Sequence, residues 1–447
     1  MVSLRARLGP AIYMGGGLAL VGAAGYGFVA LAGHTLDPAH AAALASLYLM
    51  VNIIGPGVFS ALEQETSRSV STEAAAGRGT GVVMRHAWLL ASALLAAVLV
   101  VLVLVSPILT DRAFAGQWGL FVAVLLSVVT SAAVYVVRGL LGGLQRFTGY
   151  SATLAAEGLA RILPCIVIAA LGMPDSTGYA LIFAAGSGFG AVAGLFWLRG
   201  SKAPVEVPEA TAMAAVTAAP PTVKDMARAL SLLVGGTVLM LVVSNVAPIV
   251  VTGRLTGDAV TAAAFASAFV LARIPLFLFA PVQAMLLPSL TRAAAAHDFA
   301  SVRARLRVII MAVLAIGLLG VLASFTVGPW AVQVLFGAEV RLSAVVVGLL
   351  GVSTVGLMTA LVLQPGLVAL GAHKSVTIAW LAGTVVLVAL LALPGDPIRA
   401  GVLAQLAGAA LVVAIMLRAL SKALRGGTAP AAATAGTGVV ASPPPRN

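Results

Sequence analysis

Charge is what this sequence has least of. Of its 447 residues only 9% are Asp, Glu, Lys or Arg, against 61% hydrophobic, and the mean hydropathy is +1.10. Soluble domains carry roughly 25% charged residues. The chain therefore cannot wrap its apolar residues in a charged surface, which excludes a soluble enzyme, a disordered chain and a fibrous repeat. Cysteine occurs once, as Cys165, so an intramolecular disulfide and a cysteine-based metal site are excluded. Within Ile162-Leu163-Pro164-Cys165-Ile166-Val167 it reads as a small buried side chain. The five histidines are scattered without ligand spacing, and neither a metal nor a cofactor is expected. Catalytic signatures are missing too: there is no Gly-x-Ser-x-Gly elbow, no phosphate-binding Gly-Lys-Ser/Thr loop and no His-Glu-x-x-His. The string Gly186-Ser187-Gly188-Phe189-Gly190 looks like part of a dinucleotide fingerprint. Its glycines instead continue as Gly186, Gly190 and Gly194 inside an apolar run, the spacing of close helix packing. No enzyme is expected.

What is present is a series of long apolar runs. A membrane-spanning helix needs roughly 20 mostly apolar residues. That length picks out twelve segments: 9–33, 40–62, 84–108, 116–140, 151–172, 177–198, 227–252, 259–286, 306–326, 342–367, 375–394 and 398–418. They are apolar throughout, without period-2 alternation, so they predict helices and not barrel strands. The stretch from Ala11 to Ala32, after Arg5 and Arg7, exceeds a signal-peptide core of roughly 7–15 residues and is expected to stay as the first helix. A polar stretch with Pro204, Pro208, Pro220 and Pro221 separates two groups of six. The expected organisation is a first six-helix bundle at 1–200, a cytoplasmic linker at 201–225, a second bundle at 226–425 and a disordered cytoplasmic tail at 426–447. The fold class is thus an all-α polytopic membrane protein of about twelve transmembrane helices in two pseudo-symmetric six-helix bundles.

Charge distribution sets the expected topology. The 26 Lys and Arg exceed the 14 Asp and Glu, giving a net charge of +12. With a cytoplasmic N-terminus, 21 of the 26 basic residues fall in cytoplasmic segments or the adjoining helix ends. Four fall on the opposite side, Arg112, Arg254, Arg341 and Arg399, and one, Arg273, lies inside a helix. That asymmetry is the positive-inside pattern of a multi-pass protein in the cytoplasmic membrane with both termini in the cytoplasm. Anionic lipid headgroups are secondary partners, and nucleic acid is not needed to explain the basic balance.

The halves also align with each other. An offset of 221 residues superposes Ala43-Leu44-Ala45-Ser46-Leu47-Tyr48 on Ala264-Phe265-Ala266-Ser267-Ala268-Phe269, Asp37 on Asp258, and Asn52 on Arg273. With an even number of helices per half, such a repeat is parallel and encloses a cavity at its interface. Ionisable groups in a membrane usually face a cavity or a partner. Arg273, midway along the eighth helix, is therefore a candidate for binding a phosphate, against a snorkelling or internally paired role. Asn52 and Asn245 are candidate cavity residues, and inter-helix hydrogen bonding is the alternative for Asn245, Gln283 and Gln364. Glu63 and Glu65 could serve a gate or pair with Arg68 at the interface. Arg138 and Arg146 flank a glycine-rich connection where they could recruit headgroups or simply anchor the chain. Glu157 and Arg161 stand at i, i+4, the favourable order for an ion pair. Pro56, Pro275, Pro281 and Pro288 mark places where helices could bend.

Several strings carry a resemblance: Gly55-Pro56-Gly57 running to Leu62-Glu63-Gln64-Glu65-Thr66-Ser67-Arg68, the run Arg138-Gly139-Leu140-Leu141-Gly142-Gly143-Leu144-Gln145-Arg146-Phe147, and Leu286-Leu287-Pro288-Ser289-Leu290-Thr291-Arg292. With the six-plus-six layout over residues 1–425, the chain resembles the multidrug/oligosaccharidyl-lipid/polysaccharide exporter superfamily, most of all its O-antigen-type flippases. The resemblance implies a V-shaped pair of bundles moving polyprenyl-diphosphate-linked oligosaccharide across the membrane by alternating access, for cell-surface polysaccharide. It implies the lipid-linked glycan as substrate, and glycosyltransferases or a polymerase of the same pathway as partners. On that reading Arg273 meets the diphosphate and Asn52 the sugar hydroxyls. The sequence departs from two related branches. Residues 11–32 hold no Arg or Lys, unlike the fourteen-helix lipid II flippases, and residues 9–33 hold no Asp or Glu, unlike many cation-coupled drug exporters. A cation-coupled multidrug antiporter and a non-transporting scaffold of a glycan-assembly complex stay open as alternatives.

Overall fold

In the computed structural model, the described residues are 4–199, 222–276, 290 and 298–426. Most of the expected linker, the tail beyond 426, Gln283, Pro281, Pro288 and, apart from Leu290, the Leu286–Arg292 string lie outside them. The first half comprises α1 (Leu4–Thr35), α2 (Pro38–Ile54), a π-helical turn (Gly55–Phe59), α3 (Ser60–Ala75), α4 (Gly81–Ala113), α5 (Trp118–Gly143), α6 (Phe147–Ala170) and α7 (Ser176–Arg199). The second comprises α8 (Val223–Arg254), α9 (Ala259–Ala272), α10 (Phe299–Thr326), α11 (Gly328–Phe336), α12 (Ala344–Ala369), α13 (His373–Leu391) and α14 (Pro397–Gly426). Among the described residues, twelve spans are long and apolar enough to cross a membrane.

Several boundaries differ from expectation, each for a local reason. The second span runs on past Leu62 to Ala74, because its polar end folds onto the first bundle and does not leave the membrane as a loop. Pro56 has no N–H for the carbonyl four residues back, and the helix absorbs this as the π-helical turn, flanked by Gly55 and Gly57. The eighth span is interrupted at Arg273 and helical again at 274–276, and its expected end, 277–286, lies outside the described residues. α9 stops at Ala272, with Arg273 N–H bonded back to Val270 O at 3.0 Å, two residues before Pro275. The short α11 went unforeseen, since its nine residues fall below the length of a span.

The repeat is visible in matching roles. Asp37 caps α2 by accepting from the Ala39 and His40 N–H groups, and its repeat mate Asp258 caps α9 by accepting from Thr261 N–H. In both halves the second span is then disturbed near its middle, by the π-helical turn after Asn52 and by the break at Arg273.

Packing runs mainly within each half. In the first bundle α6 packs on α1 and α7, and α5 packs on α7, α3 and α4. In the second, α12 packs on α10 and α14, and α13 and α14 pack on α8. Between the bundles α2 meets α8 and α9, while α3 and α4 meet α8. The glycine spacing in α7 serves this packing. A Cβ at Gly190 would stand 2.9 Å from Thr153 O, and one at Gly194 would stand 2.8 Å from the Thr153 methyl. Cys165 is fully buried and its thiol donates to Arg161 O at 3.3 Å. The outer flank is apolar: Leu104, Leu171, Val308 and Leu319 are each about two-thirds exposed or more. Water would penalise such a surface and lipid does not, so the chain is a multi-pass membrane protein.

Candidate functional site

Between the bundles, midway along the spans, lies a cavity of about 260 Å³. α1 contributes Tyr26 to it, α2 contributes Tyr48, Leu49 and Asn52, and the π-helical turn contributes Pro56. From the second bundle come Met240, Leu241, Ser244 and Asn245 of α8, Val270, Arg273 and Leu276 around the α9 break, and Leu361 of α12. All three residues singled out as cavity candidates, Arg273, Asn52 and Asn245, are thus brought to one hollow.

Arg273 sits at the C-cap of α9, where the eighth span is interrupted, and its side chain lines the cavity between the bundles. It is only 6% exposed. Nη1 donates to Thr354 Oγ1 at 3.2 Å and Nη2 to Ser244 O at 3.0 Å, while the guanidinium carbon lies 4.3 Å from the centre of the Phe269 ring. Nε has no hydrogen-bond partner among the described residues, and none of their carboxylates forms an ion pair with Arg273. The internally paired role considered for this arginine is therefore not what the described residues give it. Asn52 and Asn245 each donate one amide N–H to the carbonyl four residues back, Tyr48 O at 2.8 Å and Leu241 O at 3.1 Å. For Asn245 this replaces the inter-helix bond that was the alternative. Gln364 does make such a bond, accepting from Trp380 Nε1 at 2.9 Å. Among the described cavity-lining residues the one formal charge is that of Arg273, and none of them is a His, Cys, Asp or Glu that could hold a metal.

The other basic candidates go elsewhere. Arg138 is not a surface cation on a connecting loop: it sits inside α5, 5% exposed, where its Nη2 pairs with Glu157 and its Nε donates to Thr153 Oγ1 at 2.9 Å. The reason is composition. Glu157 on α6 is a buried carboxylate that one arginine does not saturate, so it draws in Arg138 as well as its helix neighbour Arg161, at 2.6 Å, and accepts from Ser187 Oγ at 2.8 Å. Arg138 and Arg161 therefore leave the set of 21 cytoplasmic cations. Arg146 spans from the start of α6 to the last carbonyls of α7, donating to Trp197 O at 3.2 Å and Leu198 O at 3.0 Å, a C-terminal cap. Glu63 accepts from Tyr150 Oη at 2.6 Å. Glu65 is buried and takes the pairing alternative, with Arg68 Nη2 at 2.6 Å and Ser69 Oγ at 3.0 Å. None of these five lines the central cavity.

Sequence reasoning missed Tyr26, Tyr48, Ser244 and Thr354 as cavity or arginine partners. Tyr48 stands four residues before Asn52 on one helix face, a signal that was available. Ser244 reaches Arg273 through its backbone carbonyl, which no side-chain pattern reveals.

At the face opposite the chain termini the two bundles touch. His34 and the Val334 carbonyl lie 3.2 Å apart, and a Cβ at Gly33 would run into Phe336 O. Gly337 answers it with a left-handed backbone, φ +65°.

No family model and no curated protein sequence matches the chain. Solved structures do. The chain is similar to a multidrug resistance MATE family transporter of the MOP superfamily in its inward-facing conformation, with a TM-score of 0.72, 14% identity, and coverage of 92% of this chain and 96% of that one. Against an outward-facing conformation of a MATE family transporter of this superfamily, the TM-score is 0.64 at 14% identity, covering 93% and 96%. A eukaryotic MATE transporter gives 0.59 at 14% identity, covering 94% and 98%. At such identities the likeness concerns architecture: the chain has the fold of MATE transporters, two six-helix bundles around a central cleft.

Proposed function

We propose that the chain is a transporter working by alternating access, and that it carries polyprenyl-diphosphate-linked oligosaccharide from the cytoplasmic to the outer leaflet. The observation that carries this reading is the charge of the cavity. Its one formal charge among the described residues is a 94%-buried arginine with an unpartnered Nε. Burying an uncompensated charge is expensive, and an anionic ligand that supplies the missing partner turns that expense into affinity. A guanidinium matches a phosphate in shape and can bind it bidentately, while tyrosines and amides suit sugar hydroxyls. The cavity's 260 Å³ fits a headgroup and not a whole glycolipid, so the tail stays in the bilayer.

The second reading is a multidrug antiporter, favoured by the likeness to multidrug resistance MATE family transporters. A cationic drug at about 4 Å from Arg273 would meet a repulsion of about 4 kcal/mol at the effective dielectric of a protein surface. The cavity therefore favours the anion. Measuring binding of a polyprenyl diphosphate saccharide to the purified protein decides between them. Arg273→Ala is expected to weaken this binding at least roughly tenfold, the scale of one charge-assisted hydrogen bond. Unchanged affinity in the variant, or tighter binding of a lipophilic cation than of the saccharide, would sink the glycolipid reading.

A further inference from the structure

A second hollow, of about 230 Å³, opens on the flank of the second bundle beside the cavity. It lies beside the interruption of the eighth span at Arg273, where α9 packs on α11 and α12 and scarcely on α10, and Gly317, Gly320 and Gly351 are among its lining residues. Its rim, Ile274 and Val327, is 36% and 51% exposed, and the neighbouring Leu319 is 69% exposed, so the groove faces the lipid. The hydroxyls in its wall are spent on backbone: Ser324 donates to Gly320 O at 2.7 Å and Thr354 to Leu350 O at 3.1 Å. A groove whose polar atoms are already satisfied offers only apolar contact.

The groove and the central cavity share one wall, the broken turn at the end of α9. Ala272 and Ile274 line the groove, while Arg273 between them lines the cavity. The guanidinium reaches through this wall, because its Nη1 bonds Thr354, a groove residue, at 3.2 Å. A buried arginine without a carboxylate among the described residues and a lipid-facing apolar groove thus adjoin at the same turn.

We propose that this groove holds the first isoprenoid units of the carrier lipid while its diphosphate sits on Arg273. The proposal rests on the glycolipid reading above and adds where the chain leaves the headgroup. An amphipathic anion needs both a cation and an adjoining apolar path to the bilayer, and the broken turn is where this fold supplies the two together. Gly320 keeps a side chain out of that path, while Gly317 and Gly351 let α10 and α12 close on Val355 and Ser324; the groove takes only a short length of chain, the rest lying in the bilayer.

The test uses the full-length protein in lipid nanodiscs and a polyprenyl diphosphate saccharide bearing a photoreactive diazirine on its first isoprene unit. Crosslinks are expected at Gly320, Ala323 or Val355, reduced by unlabelled polyprenyl diphosphate and not by excess phosphatidylglycerol. Crosslinks confined to other helices overturn the proposal, and so does competition by the phospholipid, which would make the groove a site for bilayer acyl chains. Gly320→Leu gives an independent arm. A Cβ there meets only Pro275 Cγ, at 3.5 Å, so the backbone tolerates the substitution while the leucine fills the groove. Its affinity for the long-chain diphosphate is expected to fall roughly tenfold, about 1.4 kcal/mol. Dimethylallyl diphosphate, too short to need the groove, should bind as before. Arg273→Ala should weaken both ligands. Full long-chain affinity in Gly320→Leu overturns the groove alone, whereas full affinity for both ligands in Arg273→Ala overturns the glycolipid reading beneath it.

Discussion

Among the described residues Arg138 and Arg273 are buried and Arg161 is largely so, and they are held in opposite ways. Arg138 and Arg161 share Glu157, with Thr153 and Ser187 completing the set. Among the described residues Arg273 has a hydroxyl, a carbonyl and an aromatic face, but no carboxylate. Removing one member of a compensated buried set leaves stranded charge and typically costs about 3–5 kcal/mol. Replacing an uncompensated ion by an apolar side chain of like volume relieves desolvation instead. Glu157→Gln should therefore lower the melting temperature of the purified protein sharply, while Arg273→Met should raise stability by about 1–4 kcal/mol as it abolishes anion binding. Thermal denaturation of both variants beside the parent checks this pair. A destabilised Arg273→Met would mean that the arginine is a structural member of its bundle, contrary to a binding role.

At the scale of elements, the contact between α1 and α11 closes the face opposite the termini. Its tightness depends on the missing side chain at Gly33, against which the Phe336 carbonyl and the left-handed Gly337 are laid. Any larger residue must push the two helices apart. Gly33→Leu is expected to shift the population toward a conformation open at that face. Spin labels at Leu36 and Glu339, on opposite bundles, would report it as a lengthened distance, since the sole native cysteine, Cys165, is buried and stays unlabelled. An unchanged distance distribution would show that this contact does not hold the face shut. The other disturbed elements, the π-helical turn at Gly55–Phe59 and the break after Ala272, lie against the cavity in both halves. Lost backbone hydrogen bonds near a cavity are tolerable in a membrane, whereas facing lipid they are not.

At the scale of the molecule, tryptophans mark the two interfaces. Trp88 and Trp197, 40% and 43% exposed, lie toward the face of the chain termini; Trp118 and Trp330, 56% and 57% exposed, lie toward the opposite one. Such belts form where an apolar ring with a polar N–H meets the headgroups. Even without Arg138 and Arg161, 19 basic residues stay in the set that the sequence pattern assigns to the terminal face, against four assigned to the other. Impermeant maleimide should accordingly label Gln145→Cys only from the cytoplasmic side and Ala115→Cys only from outside, both positions being exposed. Labelling of both from the same side would refute the twelve-span topology, and a reversed pattern would refute its orientation.

The number of spans, their helical nature, the six-plus-six division and the odd position of Arg273 were all legible in the residues. These properties come from composition along a single segment: length of apolar run, absence of alternation, and where charges fall relative to the run ends. The amino acids also announced the Glu157–Arg161 pair, because it acts within one turn of helix, and aligned Asp37 with Asp258, both of which turn out to be caps. What they left open was everything that joins distant segments. Only the tertiary structure recruited Arg138 to Glu157, 19 residues away, and not to the membrane surface. Only it laid Tyr26, Asn52, Asn245 and Arg273 around one hollow, and only it showed that no described carboxylate reaches that arginine. A lone charge and a paired one look alike along the chain; the difference is the set of neighbours that packing brings within hydrogen-bonding distance.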